Sequence, residues 1–131
     1  MMRLLTLCGL AAVTMTLGCE TSLSALSGAP PGMVAELNEK DETIELSQGA
    51  ALAFECNYQG GPCDGASITV DNSKVAEVRE AFFDDLQYDA DLRSPGSQTV
   101  FVLIAKQPGE TGLAVRGGGA DADYDVTVLA E

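Results

Sequence analysis

The chain is expected to fold as an all-β, antiparallel sandwich of about seven strands, and three observations predict it. Short runs alternate apolar and polar residues with a period of two. Clusters of Gly, Pro, Asn, Asp and Ser bound those runs, and they recur at the spacing of a sandwich or barrel. Hydrophobic residues make up 46% of the 131 residues and charged residues 21%, the balance of a packed domain rather than a disordered acidic chain.

The N-terminus precedes this pattern. Met1, Met2 and Arg3 form a short basic region, and Leu4 to Leu17 carries no charge. That run falls short of the roughly 20 residues needed to span a bilayer as a helix, so residues 1–18 read as a signal peptide. The following Leu17-Gly18-Cys19-Glu20 resembles the bacterial lipoprotein lipobox, a small residue directly before a Cys at the end of the apolar run. Thr16 and Leu17 stand where the pattern has an aliphatic and a small residue. The resemblance implies lipid attachment at Cys19, with palmitate among the acyl chains and membrane association through that anchor. Glu20, in place of the Asp associated with inner-membrane retention, implies sorting to the outer membrane. The alternative is ordinary cleavage nearby, leaving a secreted protein with a free Cys19.

Cys8 is lost with the signal and Cys19 goes to the lipid, which leaves Cys56 and Cys63 of the four cysteines. In an oxidising compartment that pair reads as a disulfide. A zinc site would need further soft ligands, and the chain has no His. Residues 19–32, mostly Ser, Ala, Gly and Pro, have the composition of a flexible tether, so the domain is expected at 33–131.

Within it, Thr43-Ile44-Glu45-Leu46 alternates and stops at Ser47-Gln48-Gly49. Ala51 to Cys56 puts Leu52, Phe54 and Cys56 on one face and breaks at Gly60-Gly61-Pro62. Ser67-Ile68-Thr69-Val70 ends at Asp71-Asn72-Ser73. Thr99 to Ala105 is apolar on both faces, the mark of a central strand. Pro108-Gly109 leads into Thr111 to Arg116 with Leu113 and Val115 inward, and Gly117-Gly118-Gly119 leads into Tyr124 to Leu129 with Val126 and Val128 inward. One stretch is ambiguous. Val75, Val78, Phe82, Phe83 and Leu86 are spaced three and four apart behind a possible Ser73 cap, which would give an α+β fold with a helix near 74–87. Its position directly after a strand and a short polar turn favours a strand from Val75 to Val78 instead.

Three segments resemble the bacterial immunoglobulin-like domain of group 2, the intimin type. Thr43-Ile44-Glu45-Leu46-Ser47-Gln48-Gly49 looks like its opening strand and turn. Ile68 to Val78 is similar to its Ser-Asp-x-x-Val-Ala-x-Val signature, without the family's Trp. Leu103 to Val115 looks like its Ala-x-x-x-Gly-x-x-x-Ile-x-Val turn and strand pair. The resemblance implies an immunoglobulin-like sandwich acting as a binding or structural module. The interval from Arg79 to Gln98 is longer than the family's link and interleaves Asp84, Asp85, Asp89 and Asp91 with Phe82, Phe83 and Tyr88, which makes it either a binding surface or a solvated acidic loop. Ser97 to Phe101 with Pro108, Gly109 and Thr111 is also similar to the chagasin-like protease inhibitors, the alternative function. Neither wedge loop of that family has a counterpart here.

A net charge of −13 repels phosphate backbones, so no nucleic-acid partner is expected. Without a His, the Ser–His and Cys–His nucleophile pairs have no base, and no enzyme is expected. No cofactor is required. Asp121, Asp123 and Asp125 put three carboxylates on one face of an extended segment, either a Ca²⁺ site or a polar strand start that protects an edge. Together these features lead to a membrane-anchored, non-catalytic module of the bacterial cell envelope, with a protein or an envelope polysaccharide as its partner.

Overall fold

The computed structural model describes residues 20–63, 65–83 and 98–131. These residues form ten strands and no helix: β1 (Thr21–Ala25), β2 (Ala35–Asn38), β3 (Thr43–Ser47), β4 (Ala51–Tyr58), β5 (Gly61–Pro62), β6 (Ser67–Val70), β7 (Ala76–Phe83), β8 (Gln98–Ala105), β9 (Gly109–Arg116) and β10 (Ala122–Leu129). The all-β sandwich expected from the alternation is what forms. There are more strands than the seven expected, because β1, β2 and the short β5 add to the set.

Two five-stranded sheets make the layers. The first has the order β1-β4-β8-β7, with β5 also paired to β4, and the second has the order β2-β3-β10-β9-β6. Every pairing is antiparallel except that of β3 with β10. The side chains buried between the layers are the ones the alternation predicts. Ile44 and Leu46 of β3, Leu52, Phe54 and Cys56 of β4, Leu113 and Val115 of β9, and Val126 and Val128 of β10 all lie in one core. Phe54 and Phe101 are paired in register across β4 and β8 and stack at 5.8 Å between ring centroids. β8 is central, as expected. Its outer face is less enclosed than its inner one, with Val102 and Ile104 half-buried while Phe101, Leu103 and Ala105 are buried.

The stretch from Lys74 resolves as a strand, and the helical alternative near 74–87 does not form over the described residues. Val75 closes the Asn72 turn through its N–H to the Asn72 carbonyl at 3.0 Å. From Ala76 the chain pairs with β8 in continuous register to Phe83. The register sets every residue of β7 opposite one of β8 and places Ala76 in the core, so tertiary pairing overrides the local three-and-four spacing.

The tether reading requires correction. Thr21–Ala25 is a strand of the first sheet, with Leu23 opposite Cys56 and 0% exposed. The sandwich therefore already includes β1, upstream of residue 33. The cause is the alternation Thr-Ser-Leu-Ser-Ala. It turns one large side chain into the core, and β1 pairs along β4, whose sequence lies some thirty residues downstream.

Strand directions sort the loops onto two ends. β1 begins beside Tyr58, the end of β4. At this N-terminal end lie the 39–42 turn, the 59–60 turn, the attachment points Phe83 and Gln98, and the 117–121 loop. The opposite end holds 26–34, 48–50, 71–75 and 106–108.

Candidate functional site

Four groups of residues were candidates, and the structure treats them differently. Cys19 lies outside the described residues, as do Asp84, Asp85, Asp89, Asp91 and Tyr88 of the acidic interval. Of Phe82 and Phe83 the backbone is described, as the end of β7.

Cys56 and Cys63 are bonded, with their Cα atoms 5.4 Å apart. Cys56 is buried at the end of β4 opposite Leu23, and Cys63 packs against the core just beyond β5. The Cys63 N–H also donates to the Cys56 carbonyl at 3.0 Å. The bridge therefore staples the 57–62 turn within one sheet rather than linking the two layers.

The aspartates do not converge. Asp123 and Asp125 alternate with buried Tyr124 and both face outward from β10. Asp123 pairs with Arg116 Nη2, whose guanidinium also donates to the Ala122 and Val115 carbonyls. The Asp121 carboxylate instead accepts the Gly117 N–H at 3.2 Å, closing the 117–121 loop. One carboxylate caps a turn and one holds an arginine. No group of three or more metal-ligating side chains occurs among the described residues.

Two arrangements escaped the sequence reading. The outer face of the second sheet carries Glu36, Glu45 and Glu110 with Asp125, and Glu36 and Glu45 stand directly opposite each other across β2 and β3. Like charges in that relation weaken a sheet. Alternation did indicate which residues face outward, but the pairing of β2 with β3 places the charges together. The second arrangement is the N-terminal end, where a shallow depression is lined by Glu20, Thr21, Glu39, Lys40, Glu42 and Tyr124. Ser24 Oγ donates to Glu39 Oε1 at 3.1 Å, fastening the 39–42 turn to β1. Tyr124 is buried, and burial pushes its hydroxyl above the usual tyrosine range. Glu77 is held below the usual carboxylate range by Arg79, whose Nε lies 2.6 Å from it on the surface of β7.

No protein-family model and no curated protein matches the chain. Solved structures similar to it include domains 4–9 of the surface layer protein SbsC, with 15% identity over 84% of this chain and a TM-score of 0.46. Domains 1–6 of the same protein match with 16% identity over 76% of this chain and a TM-score of 0.46. The chain spans 14% and 13% of the length of those two structures. Amebosin matches with 21% identity over 72% of this chain and 95% of its own, at a TM-score of 0.38.

Proposed function

We propose that the chain is an exported, lipid-anchored module of the bacterial cell envelope that binds or scaffolds rather than catalyses. The observation that carries this reading is the Cys56–Cys63 bond. Disulfides persist in oxidising compartments outside the cytosol, and this one accounts for both cysteines downstream of the N-terminal segment. The remaining two, Cys8 and Cys19, lie inside and directly after the uncharged run that begins behind Arg3. That placement is what lipid attachment at Cys19 needs, and Glu20 favours the outer membrane over the inner.

The side chains support a binding role. The chain has no His. Tyr124, whose hydroxyl burial pushes up, lies in the core, and Glu77, whose carboxyl Arg79 holds down, sits in a surface ion pair. The acidic outer face of the second sheet favours a partner that presents cationic groups, whether a protein or an amino-bearing polysaccharide.

Cys19→Ser tests the anchor. The variant is expected to move from the membrane to the soluble fraction and to lose labelling by radioactive palmitate. A wild-type protein that takes up no palmitate overturns the reading.

A further inference from the structure

We infer that the N-terminal end of the sandwich is a bilayer-facing surface, seated on the lipid headgroups in a fixed orientation. The inference rests on lipid attachment at Cys19 and adds to it a geometry that the anchor alone does not supply.

The argument is one of reach. A thirteen-residue flexible tether would extend to at most about 45 Å and leave the domain free to tumble. Here the sheet already includes Thr21, only two residues after Cys19. Two Cα–Cα steps span at most about 7.6 Å. β1 is not a loosely laid strand. It pairs with β4 over five residues, buries Leu23 completely and donates the Leu23 N–H to Tyr124 of the other sheet. An anchor at Cys19 thus attaches at the end of the sandwich that carries the 39–42 turn, which Ser24 and Glu39 fasten to β1, and the turn at Gln59 and Gly60 that follows Tyr58.

The described residues of that end are hydrophilic, and because four carboxylates against one lysine are not attracted to anionic headgroups, the short reach from Cys19 rather than charge brings this surface to the bilayer. Glu20, Glu39, Lys40, Asp41 and Glu42 are all exposed, and Gly60, Gly117, Gly118 and Gly119 add no apolar bulk. The exposed large hydrophobic residue of the described chain, Leu26, lies beyond β1 toward the opposite end. The described part of the surface therefore offers no large apolar side chain to hydrocarbon and stays at headgroup level. The opposite end, with Lys74 and Lys106, is turned away from the membrane. The eight residues of β4 separate the two ends by about 25 Å.

The chain contains no tryptophan, so a single introduced one is a clean donor. Full-length lipidated Lys40→Trp and Gln107→Trp proteins, each substituted at an exposed position, would be reconstituted into vesicles bearing dansyl groups on their headgroups. Both should keep the wild-type melting temperature. Energy transfer is expected to be several-fold more efficient from Lys40→Trp than from Gln107→Trp. A ten-residue Gly/Ser insertion between Glu20 and Thr21 should remove most of that difference. If the proteins float with the vesicles but transfer equally, the fixed orientation is overturned while the anchor stands. If they do not float, the anchor itself fails and the orientation with it.

Discussion

The hydroxyl of Tyr124 accepts a hydrogen bond from the backbone N–H of Leu23 at 3.3 Å, joining residues 101 positions apart in sequence. β1 is an edge strand of the first sheet and β10 an interior strand of the second, so this contact closes the sandwich across its layers. It also supplies a buried edge N–H with the partner that a further strand would otherwise provide.

Tyr124→Phe keeps the ring in place and removes the acceptor. Leaving the Leu23 N–H buried and unpaired is expected to cost about 1–3 kcal/mol, or about 5–20 °C in Tm for a domain of this size. The same variant tests alkaline behaviour. Burial raises the Tyr124 pKa in the folded state, so its contribution is fully present below about pH 10 and is lost as pH rises through the raised folded value. Circular dichroism above pH 10 should show a shallower loss of stability, relative to its own neutral value, for Tyr124→Phe than for the wild type.

Leu23→Ala distinguishes a structural strand from a tether. With the side chain 0% exposed, truncation is expected to cost about 2–5 kcal/mol. Leu26→Ala, at a residue 49% exposed, should leave Tm unchanged to within about 2 °C, given the small effects of surface substitutions. Equal melting temperatures for the two variants would mean that β1 is not docked in solution.

Why β1 escaped the sequence reading, while β3, β4, β9 and β10 did not, follows from what each strand buries. Leu52, Phe54 and Cys56 mark β4 with three inward side chains in a row, and Val126 and Val128 mark β10 with two. β1 buries one large residue among Thr, Ser and Ala, and β2 offers Leu37 and Ala35 only partly covered. Composition dominates such short runs and reads as linker. The evidence for them is non-local, because Thr21 meets Tyr58 and Ala35 meets Leu46 through registers that no local window contains. The cysteine pair was legible because elimination left two residues close in sequence. The aspartates were only partly legible, because period-two spacing places side chains on one face without saying what each will bind: Arg116 and the Gly117 N–H take two of the three, and β10, lying between β3 and β9, has no edge for them to protect.

Reduction of the Cys56–Cys63 bond releases a loop closed over a sequence separation of 7. The chain-entropy model gives about 2.5 kcal/mol for such a loop, so Tm should fall by about 10–20 °C while the strand signal in far-ultraviolet circular dichroism persists. Reducing the wild-type protein is the cleaner comparison, because Cys56→Ser would also place a hydroxyl in the core beside Leu23. Identical melting of oxidised and reduced protein would show that the bond does not form.

On the acid side, Glu77 is the group to watch. Arg79 depresses its folded pKa, so its contribution is present above the unfolded value of about 4.3 and is lost as pH falls through the lower folded value. Glu77→Gln should remove a small increment of stability at pH 7 and none once both states are protonated. Because the pair is exposed, raising the salt concentration to about 1 M should shrink the difference at neutral pH.

Gly49 and Gly119 offer a matched test of backbone and contact effects. Their φ angles are +83° and +82°, so an Ala at either meets the same left-handed conformation, at about 1–2 kcal/mol. Their surroundings differ. A Cβ at Gly49 has open space, whereas one at Gly119 would lie 3.1 Å from the Tyr58 hydroxyl and 3.4 Å from its ring carbon Cζ. Tyr58 ends β4 and faces Thr21 in the register, so displacing its ring disturbs the same end of the sandwich that β1 enters. Gly119→Ala is therefore expected to lower Tm more than Gly49→Ala. Adding Tyr58→Phe, which removes the nearest atom, should bring the Gly119→Ala penalty close to that of Gly49→Ala, with each double variant compared with Tyr58→Phe alone. Equal single-variant penalties in thermal melts would show that the 117–121 loop does not rest on Tyr58 in solution.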